Sequence, residues 1–198
     1  MNVNRFSKIA AIASAPQITP IYFFIALFYA MGGTGYLFLG VSIAFAAIIP
    51  LLSIVVYTKL SKLDAFIKER NRRYPLFYTA MVSFVAGFII LRYVNAPFII
   101  TALMLAYALN SMLATMLNRY VDKVSVHTWN ISGPAVAILY QFGVLAFFLA
   151  LATALFVGIS RILVRAHTKE EVMIAFLASI VLTYPIIFLL PLVLPNAV

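Results

Sequence analysis

The chain holds two histidines, and each lies in a short basic segment between long apolar runs. The first segment reads Lys123-Val124-Ser125-Val126-His127-Thr128. The second runs from Ser160-Arg161 through Arg165 and His167 to Thr168-Lys169-Glu170-Glu171. Imidazoles beside fixed cations suit phosphate chemistry at a membrane surface. A phosphate ester or diphosphate needs cations on its oxygens, a nucleophile in line with the leaving oxygen, and an acid to protonate that oxygen. Arginine forks supply bidentate contacts, the Ser125 hydroxyl and backbone amides at a helix start add donors, and two imidazoles can divide the nucleophile and acid roles. Glu171 follows His167 by four residues and so shares its helical face. From there a carboxylate can hold one ring nitrogen and leave the other to attack.

These segments must be positioned by membrane helices. With 65% apolar and 10% charged residues among 198, there is too little polar surface to cover a soluble core. The apolar runs are continuous for about 20 residues, the length that crosses about 30 Å of hydrocarbon as a helix. A transmembrane barrel would instead alternate over roughly ten-residue segments. The expected fold class is therefore all-α, a polytopic transmembrane bundle forming one domain over residues 1–198. The absence of cysteine excludes disulfides, thiolate zinc sites and Fe–S clusters.

Residues 1–16 read as a cytoplasmic lead-in that is retained, because the apolar stretch Ile9 to Ala13 is short for a signal peptide. Apolar runs follow from Ile18 to about Thr34, Leu37 to Val56, Pro75 to Leu91 and Pro97 to Leu117. A glycine cluster at Gly32-Gly33 and Gly35 and a turn at Arg92 to Pro97 separate them. The run from Ile131 to Ile159 decides the topology. As one crossing it would put the two histidine segments on opposite faces, with six membrane helices in all. As two helices turning near Gln141-Phe142-Gly143, about Ser125 to Gln141 and about Gly143 to Val164, it makes seven and puts both histidines on one face. The hairpin is favoured. Eleven of the fourteen Lys and Arg residues then converge on one face, in Lys59 to Arg73, Arg119 to His127 and Arg161 to Glu171. By the positive-inside rule that face is cytoplasmic, with Arg92 on the other side.

Three motifs in these stretches resemble one family. Ser160-Arg161, five residues, His167, three residues and Glu171 is similar to the third signature of the type 2 phosphatidic acid phosphatase and vanadium haloperoxidase superfamily, Ser-Arg-x5-His-x3-Asp, with Glu in place of Asp. Ser125-Val126-His127 resembles the second, Pro-Ser-Gly-His, and Lys123 to His127 resembles the Lys-x-Ser-x-His form of short divergent members. Lys68 to Pro75 resembles the first, Lys-x6-Arg-Pro, at a shorter spacing and with Tyr74 between Arg73 and Pro75.

The resemblance implies a membrane lipid phosphatase that hydrolyses a phosphomonoester or diphosphate, such as an isoprenoid diphosphate or glycerolipid phosphate. It implies that His167 attacks phosphorus to form a phosphohistidine, that Glu171 orients it, and that His127 protonates the leaving group. Arg161, Ser125, Lys68 and one of Arg72 or Arg73 would bind phosphate oxygens, with Lys123 replacing a missing cation. No cofactor and no metal are implied, and the partners are the lipid substrate and membrane lipids.

Other classes fit less well. A membrane prenyltransferase needs Asp-x3-Asp pairs for magnesium, and the chain has only Asp64 and Asp122. A transporter usually places ionisable groups mid-membrane. Nucleic acid is not expected despite a net charge of +9, since the cations are split among membrane loops. The alternative kept is a non-catalytic lipid-phosphate-binding or scaffold member of the same fold. Tyr120 and Trp129 read as interfacial anchors, Asn110 and Gln141 as interhelical hydrogen-bond makers, and Arg165, Lys169 and Glu170 as solvated groups.

Overall fold

The computed structural model describes residues 12–61, 71–121 and 123–193. Among them the regular structure is all helical. Helix α1 spans Thr19–Ala30, with Pro20 in its first turn. Gly32, Gly33 and Gly35 then turn the chain at positive φ. Helix α2 spans Tyr36–Ser61 and is interrupted at Ala44–Ile48 by a π-helical segment. Pro50 lies just beyond it and has no N–H for the carbonyl four residues back, so the ladder must loosen there. The Ser83 hydroxyl donates to the Phe45 carbonyl at 2.6 Å across the helix interface.

A 3-10 turn at Asn71–Arg73 leads into α3, Tyr74–Tyr93, whose first turn contains Pro75. The turn after it leads to α4, Phe98–Tyr120, the helix buried along most of its length. Its inner face carries Ala102, Ala106 and Ala114. Small residues of this kind let neighbouring backbones approach where lipid gives no hydrophobic drive between helices. Phe24 and Phe84 pack on Tyr107 with ring centroids 6.0 and 5.5 Å away.

The run from Ile131 to Ile159 is not one helix. Helix α5 spans Val126–Ser132, α6 spans Ala135–Phe142, and α7 spans Val144–Leu163. Gly143, at φ 83, makes the turn between α6 and α7, a conformation that costs a side-chain-bearing residue steric strain. Both α5 and α6 pack back along α7. Helix α8, Lys169–Phe188, packs on α4, α5 and α6, and the short α9, Leu190–Val193, ends the described chain.

Among the described residues five helical stretches are long and apolar enough to cross a membrane: Tyr36–Ser61, Tyr74–Tyr93, Phe98–Tyr120, Val144–Leu163 and Lys169–Leu192. This is a membrane-embedded helical protein. The other apolar segments are shorter: α1 has 12 residues, α5 has 7 and α6 has 8.

Candidate phosphate site

The junction of α7 and α8 builds most of the site locally. Helix α7 ends at Leu163, and the chain folds over so that the amides of Ala166 and His167 both donate to the Arg161 carbonyl, at 3.0 and 3.3 Å. Arg165 takes a positive φ in this turn and is exposed. Thr168 then caps α8: its hydroxyl accepts from the Glu171 amide at 3.2 Å, and its own amide donates to Glu171 Oε2 at 3.3 Å. That is the capping box, which needs a long acid at the third helical position. The same Oε2 accepts from His167 Nδ1 at 2.5 Å. One carboxylate oxygen thus fixes the helix start and the imidazole together. Nε2 is the nitrogen left for chemistry.

The second histidine segment is brought to this junction by packing. Gly158 on α7 lies against both α5 and α8. A β-carbon there would lie 2.6 Å from Val172 Cγ1 and 3.2 Å from Thr128 Oγ1. The Ser125 amide donates to the Glu171 carbonyl at 3.4 Å, and Lys123 Nζ donates to the Ala166 carbonyl at 2.7 Å. Both bonds tie the start of α5 to the turn that carries His167. His127 and His167 are each 8% exposed, so both rings sit within the fold and not on its surface. Below them a polar network spans three helices. Trp129 Nε1 donates to Asn110 Oδ1 and Asn110 Nδ2 to Thr183 Oγ1, each at 2.9 Å. Ser132 and Ser179 share a 2.7 Å hydroxyl contact.

The third contribution comes from the start of α3, where the Tyr74 hydroxyl donates to the Asn118 carbonyl at 3.3 Å and holds the chain against the end of α4. The adjacent Arg73 is half-buried and senses both Glu171 and Arg161, whereas Arg72 is exposed. Burial lowers the pKa of Arg73, with Glu171 acting the other way. His167 is pushed from 6.5 to about 3 by burial first and then by Lys123, Arg73, Arg161 and His127. The imidazole is therefore neutral, with a nitrogen lone pair, across the ordinary pH range. Arg161 keeps a buried Nε donor without a hydrogen-bond partner inside this cluster.

Of the residues expected from the sequence, His167, Glu171, His127, Lys123 and Arg161 come together, and Arg73 joins them. Ser125 is fully buried with its hydroxyl 3.1 Å from Thr128 Oγ1, an internal partner that competes with a role on phosphate. Lys68 lies outside the described residues, as do Asp64, Asp122 and most of the lead-in. Trp129 is no interfacial anchor: it is 4% exposed because Asn110 draws its N–H inward. Asn110 is the interhelical hydrogen-bond maker expected. Thr168 and Gly158 were not anticipated. Thr168 had a legible signal, the Thr-x-x-Glu pattern of a capping box, while Gly158 had none beyond its place two residues before Ser160.

Among the described residues no group of three or more His, Cys, Asp and Glu could hold a metal ion. No family model matches the chain, and neither a characterised protein nor a solved structure is significantly similar to it.

Proposed function

We propose that this protein is a membrane lipid phosphatase of the phosphatidic acid phosphatase type, acting on a lipid phosphomonoester or diphosphate through a phosphohistidine. The observation that carries the reading is a neutral, carboxylate-held histidine surrounded by cations drawn from three separate segments. His167 Nε2 attacks phosphorus in line, the bond from phosphorus to the lipid oxygen breaks, and His127 gives that oxygen its proton. Water, deprotonated by His127, then attacks the phosphohistidine and releases inorganic phosphate. Glu171 accepts from Nδ1 and stabilises the positive charge that develops on the ring. Arg73, Arg161 and Lys123 hold the three equatorial oxygens, where charge is spread in the transition state. Lys68 and Ser125 complete the set that the sequence motifs suggest.

In the membrane the reading takes seven traverses: α1, α2, α3, α4, α5 with α6, α7 and α8. The segment from Val126 to Phe142 reaches roughly 25 Å at 1.5 Å per residue, enough for a thin traverse. Both histidine segments and the start of α3 then share one face. The excess of Lys and Arg there over Arg92 opposite makes it cytoplasmic. Since the chain has no cysteine, single cysteines report this cleanly. In intact cells Asn71→Cys and Lys169→Cys are expected to resist an impermeant thiol reagent while Ala96→Cys labels. Labelling of Asn71→Cys and Lys169→Cys from opposite sides would remove the shared site.

The functional test is phosphate release by detergent-purified protein from a panel of lipid phosphates and diphosphates, with His167→Ala beside it. Release by the wild type that falls at least about 10³-fold in the variant supports the nucleophile. A folded wild type that binds lipid phosphate and releases none would replace the enzyme with the non-catalytic reading.

A further inference from the structure

We propose a second lipid site, separate from the phosphate site: a groove between α3 and α4 that binds one anionic phospholipid of the adjacent leaflet, with its phosphate on Arg119. The groove has a volume of about 260 Å³ and is lined by Tyr78, Met81, Met112, Met116, Arg119 and Tyr120. On α4, Met112, Met116, Arg119 and Tyr120 lie four, three and one residues apart and so share one outward face, with Met112, Met116, Arg119 and Tyr120 all exposed. Thr115, also in the lining, turns its hydroxyl onto the Ser111 carbonyl at 2.7 Å and so adds no free polar group to the wall.

Length and charge argue for the occupant. From Tyr120 down to Met112 the helix descends about 12 Å, close to the roughly 15 Å of hydrocarbon in one leaflet. One end of the groove is at headgroup level and the other at tail depth. The tail end is lined by three methionines, flexible and polarisable side chains that adapt to an alkyl chain of varied shape. The headgroup end carries a guanidinium, held 5.4 Å over the Tyr120 ring, which suits a phosphate oxygen pair. A zwitterionic lipid offers the same tail but brings its own cation beside Arg119. An anionic one does not.

The site is distinct from the reacting centre. Arg119 lies on the exposed outward face of α4, whereas the neighbouring Asn118 is fully buried and its carbonyl accepts from Tyr74 at the start of α3. A phosphate seated on Arg119 is therefore on the outer side of α4 and not at the buried histidine pair. The bound lipid would brace α3 against α4, and with them the Tyr74 to Asn118 bond that sets the start of α3. The groove and its cation are independent of phosphatase activity.

The test is native mass spectrometry of the full-length protein in detergent containing equal phosphatidylglycerol and phosphatidylcholine. The wild type is expected to retain phosphatidylglycerol in preference. Arg119→Gln should lower that preference about fivefold, the share of one near-surface cation, and Arg119→Lys should keep most of it. Lys169→Gln, which removes an exposed cation of the same face away from the groove, should leave it unchanged. Met116→Trp, which fills the groove, should lower retention of both lipids. Unchanged preference in Arg119→Gln, or equal loss in Lys169→Gln, would overturn the site and leave only a general attraction of basic loops for anionic lipid.

Discussion

The two halves of the candidate site are assembled by different means. From Arg161 to Glu171 the chain positions its own imidazole: the turn closes on the Arg161 carbonyl, Thr168 caps the helix, and Glu171 bonds both Thr168 and His167. Each of these bonds spans six residues or fewer. Arg73 and His127 have no such local frame. They arrive through packing and through bonds that link distant positions, Tyr74 to Asn118, Lys123 to Ala166 and Ser125 to Glu171. A locally closed half holds its geometry as long as its helix start exists. The remote half depends on how α3, α5 and α7 pack.

The largest expected effect separates these halves in catalysis. Glu171→Gln keeps the size of the side chain but removes the charge that, in the proposed mechanism, compensates the ring when it bonds phosphorus. A fall in kcat of about 10² to 10⁴ with little change in KM is expected, since the lost interaction strengthens only in the transition state. Arg73→Gln removes a cation that, in the proposed reaction, meets phosphate in ground state and transition state alike. Its effect should be smaller, about 10-fold to 10²-fold in kcat/KM, and partly in KM. Steady-state kinetics on the preferred lipid phosphate would check both. If Arg73→Gln instead lost as much kcat as Glu171→Gln with KM untouched, the two halves would not differ in the way described.

What could be read from the sequence follows the same division. The pairing of His167 with Glu171 was legible because the two stand four residues apart across one helix start, while Ser160 and Arg161 come from the end of the preceding helix. The fold class was legible from continuous apolar runs, and the hairpin was legible because Gly143 stands between two segments of usable length. The remote half was not. Whether Arg72 or Arg73 faces the site depends on the angle at which the 3-10 turn enters α3, which Tyr74 sets by bonding a carbonyl 44 residues away. Trp129 looks like an interface residue in sequence because the partner that buries it, Asn110, lies on another helix. The π-helical break in α2 has a local cue in Pro50, but the bond from Ser83 to Phe45 crosses from α3.

Gly158 tests the remote half by stability, at a smaller scale. Val172 Cγ1 and Thr128 Oγ1 sit where a side chain would go, so Gly158→Val must push α5 or α8 away from α7. Overpacking of this kind costs about 1 to 3 kcal/mol. Thermal unfolding in detergent should show the loss, and activity should fall further than stability because α5 carries His127. Gly143→Ala is the useful contrast: it strains the far turn of the same hairpin and should lower Tm without a disproportionate loss of activity.

The smallest effect sharpens the local half. Thr168→Val removes the hydroxyl that accepts from the Glu171 amide but keeps the backbone amide that donates to Glu171 Oε2. Loss of a threonine cap costs about 1 kcal/mol, enough to fray the first turn of α8 without unfolding the bundle. Because Glu171 sits in that turn, fraying lets its carboxylate leave Nδ1 part of the time, and kcat should fall several-fold while KM stays near the wild-type value. Thr168→Ser keeps the hydroxyl and should recover both stability and kcat. A Thr168→Val protein that loses stability yet keeps full kcat would show that Glu171 is held by His167 and its surroundings alone, and the capping box would then be a feature of the helix and not of the site.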